Sequence, residues 1–288
     1  MIVDVLISFL SIALELTILF IGISFLVSLI QGFIPYKKLN QYLEGKNVFV
    51  GAVIALVIAF VTPFCSCSTI PVVVNLLNKK IRFGIVMVFL FSSPVLDPTI
   101  ITLMGVLLGV KVAAAYTVIT SVLSVVIGLT LEKMGFVKAV KHVVMNGYEE
   151  KQTTFSIKAA FRETLALMKS VYPFLIIGAA IGSVIHGVMP TEWISSVFGG
   201  NQWWLVPIAA IIGIPLYIRL STMIPLSQIL IVKGMAIAPV MALMISSAGA
   251  SLPELTLLNS IFQKRLVMAF VISVIAMATI SGFLFYII

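Results

Sequence analysis

The stretch TPFCSCSTIP, residues 62–71, carries two prolines, two cysteines and four hydroxyl residues inside a long apolar run. Cys65 and Cys67 are neighbouring thiols that could hold a soft thiophilic centre such as Cu(I) or trivalent arsenic. They could equally exchange thiols with a sulfur substrate, or be two small buried residues without reactivity. Pro63 removes a backbone donor and disfavours helix at Thr62. A second helix can then begin near Ser66–Ser68, with Pro71 tolerated in its first turn. Such a break exposes a helix N-terminus, with Ser68 and Thr69 beside it, where an anion can bind. The alternative is a packing kink lined by small residues.

A second break of the same character lies at GIPLYIRLSTMIP, between Pro215 and Pro225. It places Arg219 in an apolar setting next to Ser221 and Thr222. A guanidinium there is costly unless it is paired or lines water. Asp97, Glu254 and Glu15 are its candidate partners in a structural ion pair, and an anionic substrate is the alternative. Ser92 and Ser93, followed by Pro94 and Pro98, and Ser246 and Ser247 in the second half, end short apolar runs. Their hydroxyls could ligate substrate or cap helices.

These residues need a scaffold, and composition defines its class. Of 288 residues, 61% are hydrophobic and 10% charged, against about 45–50% and 25% in soluble domains. The fold class is all-α, a polytopic membrane protein. The net charge of +8 reflects basic loops that set topology and touch anionic lipid, not nucleic-acid binding. Apolar runs fall at 5–34, 48–64, 66–77, 83–94, 97–109 and 112–131, then at 165–189, 203–218, 220–232, 235–247, 252–262 and 266–288. Many are too short to span alone, which implies broken or re-entrant helices whose open backbone is covered by protein.

The two halves repeat. A shift of 154 residues places Pro71 on Pro225, Ser92–Ser93 on Ser246–Ser247 and Lys111 on Arg265. The organisation is a first transmembrane repeat over 1–131, a basic amphipathic linker over 132–163 and a second repeat over 164–288. Interrupted segments at matching positions are the mark of secondary transporters. With 48–77 as one broken crossing and 83–109 as a re-entrant hairpin, each half crosses three times and the second is inverted. The breaks then meet near the bilayer midplane. The loop 36–47, the linker and the segments near 233 and 264 share one face, opposite Lys79, Lys80, Arg82 and Lys111. The more basic face is cytoplasmic, with both termini outside.

The run TPFCSCSTIPVVVNLL…FLFSSPVLDPT resembles the DUF318/UPF0718 predicted permeases, which include the ArsP-type organoarsenical efflux permeases. Pro63, Cys65, Cys67, Ser68, Pro71, Ser93, Pro94, Asp97 and Pro98 fit that family's pattern. The resemblance implies transport and, for the arsenical branch, cysteines that hold trivalent arsenic. The expected function is a multi-pass permease of the cell (inner) membrane that moves a small solute or ion, with no cofactor. Neither HExxH, GxSxG nor a phosphate loop occurs, and an enzyme is not expected. A membrane-embedded thiol oxidoreductase using Cys65 and Cys67 is the alternative.

Overall fold

A computed structural model describes the chain at residues 14, 18, 48–61, 66–78, 81–140, 202–216, 227, 231 and 235–287. The helices are α1 (Val48–Val61), α2 (Ser66–Asn78), α3 (Phe83–Ser92), α4 (Pro98–Leu107), α5 (Val110–Lys133), α6 (Leu205–Leu216), α7 (Ile237–Gly249), α8 (Leu252–Ile261) and α9 (Lys264–Leu284). A 3-10 turn, Phe136–Ala139, follows α5. An isolated antiparallel bridge, Val140 to Phe262, lies outside the helices. The first apolar run apart from residues 14 and 18, the linker beyond Val140 and the run 165–189 lie outside the described residues.

The polarity of α5 is inside out. Its buried stripe is Ala113, Tyr116, Thr120, Ser124, Gly128 and Leu131, whereas Val110, Val118, Val122 and Val126 are exposed. A helix in water hides its valines; a helix in lipid turns them outward and packs through small and hydroxyl residues. The threonines cost little, because Thr117 and Thr120 donate to the carbonyls of Ala113 and Tyr116 at 2.8 and 2.7 Å. With 24 and 21 residues, α5 and α9 are long and apolar enough to cross a membrane.

The short helices have local causes. Asp97 precedes Pro98, whose missing donor suits the first helical position, and the Asp97 carbonyl accepts from the amides of Ile100 and Ile101. Ser251 caps α8, its hydroxyl accepting from the Glu254 amide at 3.4 Å, half of the S-x-x-E capping box. Only Leu108 and Gly109 join α4 to α5; Gly109 has φ +101, a left-handed conformation that a side chain would strain.

The contacts along α5 overturn one sequence expectation. Arg82, at the start of α3, pairs with Glu132. Gly84 and Val88 lie against Gly128, Val95 accepts a hydrogen bond from Tyr116, and Gly105 faces Ala113. Residues 83–107 therefore run the whole length of α5, antiparallel to it, as one interrupted crossing and not a hairpin. The helix that lies back against α3 is α2. Thr69 touches Ser93 and Ile81 bonds back to Leu76, so α2 runs antiparallel to α3. The buried residues of α1, α2 and α3 share one core with Leu131 of α5. Apolar length and composition do not separate these two arrangements; the pairing of Arg82 with Glu132 does.

Helix limits recur. Phe83, Pro98 and Val110 begin helices, and so do Ile237, Leu252 and Lys264, each 154 residues later. The packing recurs too. A Cβ on Gly128 would stand 2.8 Å from the Val88 nitrogen and 2.9 Å from the Gly84 carbonyl. On Gly282 it would stand 3.0 Å from the Ala238 carbonyl and 3.0 Å from the Ala242 Cβ, the positions 154 residues on. Yet α5 and α9 run in opposite directions. The Gln263 amide donates to the Ala139 carbonyl at 2.8 Å, joining the end of α5 to the start of α9, and Ser124 touches Met277 midway.

Two apolar cores result, and each takes helices from both halves of the sequence. One joins α1, α2 and α3 to Leu257 and Leu258 of α8 and to Leu266, Phe270 and Val274 of α9. The other joins α6, α7 and Met277 and Ala278 of α9 to Val95, Ile100 and Met104, with Ala113 and Tyr116 of α5. Phe91 stacks on Phe270 across the halves, with centroids 4.8 Å apart.

Gly128→Ala and Gly282→Ala should each lower the melting temperature, because backbone atoms block the added methyl; overpacking of this kind costs about 1–3 kcal/mol. Gly105→Ala, whose Cβ would meet Ala113 at an ordinary 3.8 Å, should hold or raise it. Thermal melts of the three purified variants read the difference.

Candidate functional site

The chain crosses between the two cores at two places. Phe91 belongs to the first core and Val95 to the second; Ala248 belongs to the second and Ala250 to the first. Each crossover coincides with a helix interruption, at Ser93–Asp97 between α3 and α4 and at Ala250–Ser251 between α7 and α8. Most of the sequence-selected polar residues that the structure describes stand there.

At the first crossover, α2 brings the end of the cysteine motif, at Thr69, against the interruption. The Thr69 and Ser93 hydroxyls are 3.2 Å apart, both fully buried. Ser92 donates to the Val88 carbonyl at 2.6 Å, closing the last turn of α3. From α5, the Tyr116 hydroxyl donates to the Val95 carbonyl at 3.1 Å, satisfying a group that the interruption frees. Asp97 sits half-buried at the head of α4, with Pro94 in the turn before it and Pro98 as its first helical residue. Pro71 is the sixth residue of α2, not part of its first turn as expected. Having no N–H, it cannot donate to the Cys67 carbonyl one turn earlier.

At the second crossover, Ser246 and Ser247 donate to the Leu243 and Met244 carbonyls, both at 3.1 Å. These hydroxyls, like that of Ser92, close helix ends. Glu254 is fully buried in the first turn of α8, and α8 packs against α2. The carboxyl-bearing α8 and the cysteine-bearing α2 therefore meet, although they come from different halves. Among the buried side chains described, Glu254 is the only one of a charged type. Pro215 is embedded near the end of α6.

Other predicted members lie outside the described residues: Pro63, Cys65, Arg219, Ser221, Thr222 and Pro225. Cys67 and Ser68 lie in the first turn of α2 by backbone. No cluster of three or more metal-ligating side chains occurs among the described residues, and a two-thiol site would need Cys65. Sequence reasoning did not single out Tyr116, Ser251, Gly128 or Gly282. The two glycines coincide under the 154-residue shift, and Ser251 with Glu254 spells a capping box; both signals were there to be read.

The pairing of Thr69 with Ser93 is testable by a double-mutant cycle. Thr69→Val and Ser93→Ala should each destabilise by about 0.5–1.5 kcal/mol, and the double variant by less than their sum, as measured by thermal unfolding.

Residues 2–287 match the family model ArsP_1, described as a predicted permease. A UPF0718 protein of Methanocaldococcus jannaschii is 23% identical, over 83% of this chain and 83% of its own. The UPF0718 protein YraQ of Escherichia coli is 25% identical, over 83% of this chain and 68% of its own. A Streptococcus mutans protein named as a subunit of a two-component membrane permease complex is 22% identical, over 88% of this chain and 82% of its own. No solved structure matches.

Proposed function

The chain belongs to the predicted permease family, and from that premise we propose a secondary transporter that moves a small solute, thiophilic or anionic, across the cell membrane. The family favours a transporter over an enzyme, and a thiol oxidoreductase is not favoured. The observation that carries the reading is the coincidence of the helix interruptions with the crossovers between the cores.

The transporter consists of two repeats, 1–131 and 164–288, joined by the linker 132–163. The second repeat is inverted relative to the first. Support comes from helix limits that recur at 154 residues while the equivalent helices α5 and α9 run antiparallel. In each repeat a returning helix pair, with its tip at a proline-rich break, meets an interrupted crossing near the bilayer midplane. Alternating access then amounts to one repeat rocking against the other around a fixed site.

Solute contacts fall to the first break through Cys65, Cys67, Ser68, Thr69 and Ser93, and to the second through Arg219, Ser221 and Thr222. Asp97 and Glu254 stand at the heads of the two short helices that pass into the opposite core. Ser92, Ser246 and Ser247 shape the interruptions and become ligands only if their helix ends open. Arg219 serves as the charge partner of the solute; its guanidinium stays protonated and planar, suited to two-point contact with an oxyanion.

The test is uptake by the purified protein in liposomes, screened against thiophilic oxyanions, sulfur anions and trivalent organoarsenicals. One class should accumulate. Cys65→Ser with Cys67→Ser should abolish uptake if the solute binds sulfur, and Arg219→Met should abolish it if the solute is an anion, in each case with normal yield. Uptake of none of these, together with catalysed thiol–disulfide exchange that is lost in the cysteine variant, would replace the transporter with an oxidoreductase. A collapsed yield of Arg219→Met, restored by neutralising Asp97 or Glu254, would make the arginine a structural partner instead.

A further inference from the structure

Five basic side chains from three separate stretches of sequence converge on one end of the helix bundle. Arg82 opens α3, Lys133 closes α5, Lys138 lies in the 3-10 turn, and Lys264 and Arg265 open α9. All five are exposed. Glu132 is the only carboxylate described at this end, and the Arg82 Nε already donates to it at 2.6 Å. At the opposite end, where α4 turns into α5, the described residues hold only Lys111 as a cation. That end instead carries Trp203, Trp204 and Tyr286, whose hydroxyl donates to the Gln202 carbonyl at 3.4 Å.

The local geometry makes the basic end more than a loose collection of charges. The Val140–Phe262 bridge and the bond from the Gln263 amide to the Ala139 carbonyl hold the two chain segments together. Lys138 is two residues before the bridge and Lys264 two residues after it, so the antiparallel register sets these two positions opposite each other beside it. Like charges held near one another repel. A bridging anion would remove the repulsion. Exposed apolar side chains flank the same place: Met134, Val137 and Met268 are 66%, 49% and 64% exposed.

We infer that this end binds the headgroup phosphate of an anionic phospholipid between Lys138 and Lys264, with Arg265 beside it and the acyl chains along Met134, Val137 and Met268. A free phosphate would satisfy the cations but leave the apolar flank uncovered. An anionic lipid satisfies both, and anionic headgroups are concentrated at the cytoplasmic leaflet. The inference does not depend on which solute the permease moves, or on its being a transporter.

The experiment counts lipid bound to the purified protein in neutral detergent by native mass spectrometry, with phosphatidylglycerol or phosphatidylcholine added. Phosphatidylglycerol should bind preferentially. Removing one lysine should weaken it roughly five-fold, and Lys138→Gln with Lys264→Gln together on the order of thirty-fold. Lys138→Arg with Lys264→Arg should keep the preference, and Lys111→Gln should not alter it. If the double Gln variant does not stay monodisperse, the single variants are read in its place. Equal binding of the two lipids would overturn the inference, as would a preference that survives in the Gln variants. Displacement of phosphatidylglycerol by an equal concentration of inorganic phosphate would overturn the lipid assignment in favour of a free-anion site.

Discussion

Backbone amides and carbonyls freed inside an apolar medium must find partners within the protein, and the architecture of this chain follows from that constraint. Helices of ten residues, such as α3, α4 and α8, are too short to cross a bilayer alone. Each interruption therefore carries open helix ends into the interior. The chain resolves this by passing from one core to the other where the helix stops, so that Ser92, Ser93, Val95 and Leu96 are all buried in protein. The Tyr116 hydroxyl serves the Val95 carbonyl, and the hydroxyls of Ser92, Ser246 and Ser247 close their own helix ends. Gly128 and Gly282 allow α5 and α9 to approach α3 and α7 closely enough for this to hold.

A good deal of this was legible in the sequence. The apolar runs 48–64, 83–94 and 97–109 became α1, α3 and α4 with ends shifted by a few residues, because proline, glycine and polar residues stop helices for local reasons. The recurrence of helix starts at a spacing of 154 residues was legible because punctuation and charge recur at the same spacing. The direction of the short segments was not: both orders of crossing and returning pair satisfy the same hydropathy. A contact 50 residues apart in sequence, Arg82 with Glu132, decides between them, and periodicity does not report such contacts. The site was legible as a set of residue types but not as pairs. Thr69 and Ser93 both stood among the candidates, yet their contact depends on α2 folding back along α3.

The same correction reorders the charges. With 83–107 as a crossing, Arg82 joins Lys133, Lys138, Lys264 and Arg265 at one end, not the opposite face on which the sequence had placed it. The start of α7 moves to the other end, where Ala238 packs on Gly282. Among the described residues, five of the six cations then stand at one end of the bundle, the kind of asymmetry that the positive-inside rule uses. The bridge that joins α5 to α9 also gathers these cations.

The central claim is that the two repeats are inverted, and Lys111 and Arg265 test it most directly because they are equivalent positions, one residue inside α5 and α9 respectively. Each is replaced by cysteine in turn, in a background lacking Cys65 and Cys67, and probed in intact cells with a membrane-impermeant maleimide before and after permeabilisation. Inversion with the basic end cytoplasmic predicts that the cysteine at 111 is labelled from outside and that the cysteine at 265 is labelled only after permeabilisation. Labelling of both positions from the same side would contradict it.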